Sequence, residues 1–211
     1  MKGIFSYDSG LMQALSFLWD LIVLNVLFVL CALPVVTLGA SWAGLYSGIR
    51  VLRDKEDGRS CLRAFFRGFR TGFPQITVGF CVLLVPTALL ALQVMAALVA
   101  GAQTVLLLAS AALLLCALLA SQMPPFHARF TCTAWQLLRN TCFISLANPL
   151  RALPSALLLM LPVVIALALP PLFLLLLPLW AGLYFSLHAL LTLRLLRPPY
   201  AALEERIQKE G

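Results

Sequence analysis

Six apolar runs punctuate this chain of 211 residues: Leu15 to Val36, Leu38 to Leu52, Gln75 to Val99, Thr104 to Met123, Ala152 to Leu169 and Leu172 to Leu193. Five of them are long enough for a helix rising about 1.5 Å per residue to cross about 30 Å of hydrocarbon. In the first run, fifteen Leu, Ile, Val and Phe side chains at roughly −0.3 to −0.6 kcal/mol each outweigh Asp20, even at its full mid-membrane cost of roughly +3 kcal/mol. With 62% hydrophobic and 11% charged residues, the chain has too little polar surface to cover a water-soluble globule. These features predict an all-α polytopic bundle, a single transmembrane domain over residues 1–211. The first run exceeds the length of a signal-peptide core and is expected to stay in the mature protein.

The second run is the short one, because Leu38 to Ile49 is followed at once by Arg50. Its small residues Ala40, Gly44 and Gly48 recur every four positions on one helical face, a pattern that lets helix backbones approach closely. Two arrangements are open: a full crossing buried among neighbours, making six crossings, or a re-entrant hairpin, leaving five. Charge favours six. The outer connections near residues 36–38, 100–103 and 170–171 then hold no Lys or Arg, and all fifteen basic residues lie on the other side. By the positive-inside rule that side is the cytoplasm of a plasma-membrane protein, with both termini in it. In a hairpin of the first two runs, Asp20 and Arg50 reach similar depth and form a candidate intramembrane ion pair.

Between the second and third runs, residues 59–73 are patterned as an amphipathic helix. At about 100° per residue, Arg59, Arg63, Arg67 and Arg70 gather in an arc of roughly 80°, and Leu62, Phe65, Phe66, Phe69 and Phe73 take an adjacent arc. Such a helix suits the membrane interface, its arginines among the phosphates of anionic inner-leaflet lipids. The same arginines are also a candidate docking face for a cytoplasmic partner. Residues 126–146, with Phe126, Phe130, Trp135 and Phe143, form a second interfacial candidate, ended by Asn148-Pro149.

Chemistry-bearing residues are sparse. The six cysteines fall inside apolar runs or in segments assigned to the reducing side and are expected as thiols. His127 and His188 have no helical i, i+4 partner, so no metal, cofactor or catalytic set is expected. The +7 charge lies in short segments between apolar runs rather than on one basic face, so nucleic acid is not an expected partner. Trp42-Ala-Gly-Leu-Tyr46 recurs as Trp180-Ala-Gly-Leu-Tyr184; a transporter-like internal repeat and coincidence both account for it.

The first seventy-five residues carry a likeness. Phe5-Ser-Tyr-Asp-Ser9, Leu18-Trp-Asp-Leu-Ile-Val-Leu-Asn25, Leu33-Pro-Val-Val-Thr-Leu-Gly-Ala-Ser41 and Arg53-Asp-Lys-Glu56, followed by the Phe/Arg segment, resemble the YesL family of bacterial membrane proteins. The resemblance implies a setting beside carbohydrate importers of the ABC type, and no catalytic residue to carry over. The stretch from Phe126 to Pro154 lacks the acidic start and glycine of an ABC permease coupling loop. The chain also lacks a phosphate-binding Gly-rich loop with Lys. An accessory of such an importer is therefore the leading expectation, ahead of a small transporter or channel and of a membrane-embedded enzyme. The topology is directly testable: cysteines placed at Ser6 and Lys209 should both resist a membrane-impermeant thiol reagent in whole cells. External labelling at Ser6 would remove the second crossing.

Overall fold

The computed structural model describes residues 10–54, 58–130, 132–198 and 200–201, with Arg59 described in its backbone alone. Among them every regular element is helical: α1 (Gly10–Ala32), a 3-10 turn (Val35–Thr37), α2 (Leu38–Arg53), α3 (Gly58–Ala100), α4 (Gln103–His127), α5 (Ala134–Ala147) and α6 (Pro149–Ala168), followed by α7 (Pro170–Leu175), α8 (Leu177–Leu179), a π-helical turn (Trp180–Tyr184) and α9 (Phe185–Leu195). The protein is an all-α bundle with five helices long and apolar enough to cross a membrane. Large apolar side chains such as Leu92, Val99, Leu107 and Leu167 cover its outside, as expected where the solvent is lipid.

The second run is helical for its whole length, within α2, and eleven of the sixteen residues of α2 are buried. Leu24 and Phe28 of α1, and Leu190 and Leu193 of α9, join Trp42, Leu45, Tyr46 and Ile49 of α2 in the main apolar cluster. Its small residues fit it to α3. A Cβ on Gly44 would come within 2.9 Å of the Phe65 carbonyl oxygen, and one on Gly48 within 2.8 Å of Leu24 on α1 and 3.2 Å of the Cys61 carbonyl oxygen. Ala40 is fully buried. On the α3 side, a Cβ on Gly68 would overlap Ser47, and one on Gly72 would lie 2.5 Å from Ala43.

Residues 59–73 and 75–99 belong to one helix of 43 residues, and this corrects their assignment as an interfacial helix and a separate crossing. The helix continues through Pro74 and Pro86. Packing holds it together at Pro74, because α2 touches both sides: Ala43 lies against Gly72, and Gly39 against Ile76 and Phe80. At about 1.5 Å per residue α3 is about 65 Å long, twice the hydrocarbon thickness, so part of it stands outside the apolar layer. Its first half is clasped by α2, and from Gly79, which meets Met123, it runs beside α4.

Two more assignments change. The segment 126–146 is not one helix: α4 runs on through Pro124 and Pro125 to His127, and α5 starts only at Ala134. A capping box sets that start, with the Gln136 amide N–H donating to the Thr133 hydroxyl and the Thr133 amide to the Gln136 side chain. Asn148 caps the end of α5, and Trp135, Phe143 and Leu146 are exposed on it. Along the sixth run, 172–193, the helix is interrupted at Leu176 and wound as a π-turn over Trp180–Tyr184, so that α7, α8, the π-turn and α9 follow one another. Pro178 has no N–H to donate, and its ring crowds the carbonyl four residues back. The five long apolar helices thus include the doubtful second run and omit the last.

Gly68 tests the α2/α3 contact. Gly68→Ala should lower detergent stability by about 1–3 kcal/mol through overpacking, despite the better helix propensity of alanine. Gly182→Ala, where a Cβ meets nothing within 4 Å, should leave the melting temperature nearly unchanged.

Candidate functional site

The end of α2, the first half of α3 and the end of α4 enclose an open cleft of about 580 Å³. Arg50 and Asp54 enter from the α2 side, Arg67, Thr71 and Gln75 from α3, and His127 from α4. The residue spacing explains the gathering: Arg67, Thr71 and Gln75 recur every four positions along one edge of α3. Arg50 donates from Nη1 to the Ala128 carbonyl at 2.6 Å. Ala128 caps α4, where unpaired carbonyls and the helix dipole concentrate negative charge. That contact pins one edge of the guanidinium. No described residue hydrogen-bonds or ion-pairs with the Arg67 side chain. Asp54 is held by Arg53 at 3.5 Å.

His127 Nε2 lies 2.7 Å from Gln75 Oε1. Because that oxygen accepts, Nε2 carries the hydrogen, and Nδ1 is buried with no partner among the described residues. The hydroxyls of Ser47 and Thr71 donate to the backbone carbonyls of Ala43 and Arg67, so only their lone pairs face other groups. The cleft therefore offers two guanidinium groups, an amide and hydroxyl acceptors. Below the helix ends, Phe126, Phe130 and Tyr200 pack together, and the Arg129 guanidinium lies 5.2 Å over the Tyr200 ring. Burial raises the Tyr200 phenol well above its ordinary pKa; the nearby Tyr46 adds to this, and Arg129 opposes it.

The expected site residues are placed differently from one another. Asp20 and Arg50 form no ion pair, which corrects that expectation: the α4 terminus takes the guanidinium instead. Asp20 sits at the flank of the α1 stripe formed by Leu21, Leu24, Asn25 and Phe28, half-buried. Arg63, Arg67 and Arg70 are exposed along α3, where with Leu62 and Phe66 they line a shallow second groove. The side chain of Arg59 lies outside the described residues. The phenylalanines divide: Phe66 and Phe73 are exposed, but Phe65 is fully buried against α2. The buried side of α3, with Cys61, Phe65, Gly68, Gly72 and Ile76, lies opposite the arginine arc. Cys31, Cys61, Cys81, Cys116, Cys132 and Cys142 are all free thiols. Among the described residues no group of three or more His, Cys, Asp or Glu could hold a metal ion.

Sequence reasoning missed a second polar feature deep in the bundle. Asn25 Nδ2 donates to the carbonyls of Trp180 at 3.0 Å and Ala181 at 2.6 Å, and its Oδ1 accepts from the Ser186 amide at 2.9 Å. Ser186 Oγ donates in turn to the Leu21 carbonyl. One amide side chain thus satisfies backbone groups left over where the last helix is wound as a π-turn. Nearby, Gln122 donates to Ser155 Oγ, and His188 Nε2 lies 3.0 Å from the Ser155 carbonyl, joining α4, α6 and α9. The two Trp-Ala-Gly-Leu-Tyr segments have different backbones, an α-helix at Trp42 and a π-turn at Trp180.

Residues 21–94 match the family described as protein of unknown function, DUF624. The match begins within α1 and ends within α3, so it takes in Asn25, Arg50, Arg67 and Gln75 and stops short of His127. Neither the curated proteins nor the solved structures include a match to the chain. The matched region carries the Asn25 clamp, which makes a sharp test. Asn25→Leu strands two carbonyls and an amide and should cost about 1–3 kcal/mol of detergent stability. Gln93→Leu, at an exposed α3 position, should cost nothing measurable in the same thermal-shift assay.

Proposed function

We propose that this chain is a non-catalytic multi-pass protein of the bacterial cell membrane, accessory to carbohydrate uptake by an ABC-type importer. Its basic side is taken as cytoplasmic, with both termini there, on the strength of the charge bias between apolar runs. The observation that carries the reading is the exposed row of Arg63, Arg67 and Arg70 on α3, whose opposite side is fastened to α2 by glycine contacts. A helix so fastened presents its cations on a rigid support. Phe66 and Phe73, exposed at the margin of the row, suit contact with acyl chains, so anionic lipid is the first partner and an importer subunit the second. The resemblance of residues 1–75 to YesL proteins supports the importer setting, and the matched family brings no activity of its own.

A second reading, a small transporter, draws on the discontinuous last helix and its Asn25 clamp, since transport sites are often built at broken helices. Isolation in mild detergent separates the two. The tagged chain should bring an importer permease or ATPase with it in fixed ratio. A chain that elutes alone, yet confers solute flux on reconstituted vesicles, would reverse the order of the two readings.

A further inference from the structure

We propose that the cleft between α2, α3 and α4 binds a phosphate monoester. The inference does not depend on the accessory role, since it rests on the cleft's own donors. Two guanidinium groups enter it, and a phosphate monoester carries about −1.5 to −2 charges near neutral pH, so the charges match. Arg50 is already oriented by the Ala128 carbonyl, which leaves its remaining N–H groups to point elsewhere at little entropic cost. Arg67, unpaired among the described residues, supplies a second planar fork suited to phosphate oxygens. Asp54 also borders the cleft and opposes an anion, but its carboxylate is paired with Arg53. A volume of about 580 Å³ lies within the usual size of a small-molecule pocket and exceeds what phosphate alone would fill. An organic body attached to the phosphate therefore fits. For its hydroxyls the cleft provides acceptors in the lone pairs of Ser47 and Thr71. The phosphate chemistry is the same whether it arrives as a lipid headgroup or as a soluble ester.

The test uses the full chain in phosphatidylcholine nanodiscs. One arm titrates glycerol 3-phosphate by calorimetry; the other compares thermal stability with and without phosphatidic acid in the disc. Saturable binding or stabilisation in either arm supports the site, and the arm that shows it identifies the source. Arg67→Gln should weaken the effect about tenfold or more. Arg63→Gln and Arg70→Gln remove the same charge from outside the cleft and should stay within about twofold. Arg50→Gln should also weaken it, but it frees the α4 terminus as well, so Arg67 decides the matter. Absence of a saturable effect in both arms, or equal losses from Arg63→Gln and Arg67→Gln, would overturn the proposal.

Discussion

The close approach of α2 to α3 is the contact on which the remaining architecture depends. In a bilayer the hydrophobic effect does little to press helix on helix, so association rests on intimate packing and on polar contacts. Here glycines make the room: Gly44 lies against the Phe65 carbonyl and Gly48 near the Cys61 carbonyl, while Gly68 and Gly72 of α3 lie against Ser47 and Ala43 of α2. This contact lets a short run with Arg50 at its end exist as a helix almost wholly enclosed by protein. It also carries α3 across Pro74, and so joins a basic segment to an apolar one in a single rod. The cleft is a product of the same contact, because Arg50 and Arg67 belong to the two helices it joins.

Polar contacts make the second contribution. The last helix is interrupted, and an interrupted helix inside a bundle leaves backbone groups that lipid cannot satisfy. Asn25 meets three of them from the opposite side of the sequence. Its position among apolar neighbours in α1 is thus explained by the backbone it serves.

Much of this organisation was legible in the sequence. The apolar runs announced the helices, and the four-residue spacing of Ala40, Gly44 and Gly48 announced a helix made to pack closely. What remained hidden was long-range. The arginine arc on α3 was visible, yet the buried side opposite it carries Gly68 and Gly72, small residues that periodicity of hydrophobic side chains overlooks. Their four-residue spacing was the available signal. Asp20 and Arg50 had compatible signs and depths, but the sequence gives no view of the α4 carbonyls that compete for the same guanidinium. Proline has no single outcome here: α3 and α4 continue through theirs, whereas the last helix is interrupted two residues before Pro178. Neighbouring packing decides each case, and composition does not reveal it.

The α3–α4 hairpin closes at Gly101, whose backbone φ of +66° suits glycine and few other residues. That turn and the cleft lie at opposite ends of the same two helices: Ala100 and Gln103 flank the turn, while Arg67 and Gln75 on one helix and His127 on the other line the cleft. The Gly79–Met123 contact and the Gln75–His127 hydrogen bond lie one helical turn apart along this same pair, four residues on in each helix. One helix–helix register therefore fixes both the apolar packing and the polar contact at the cleft.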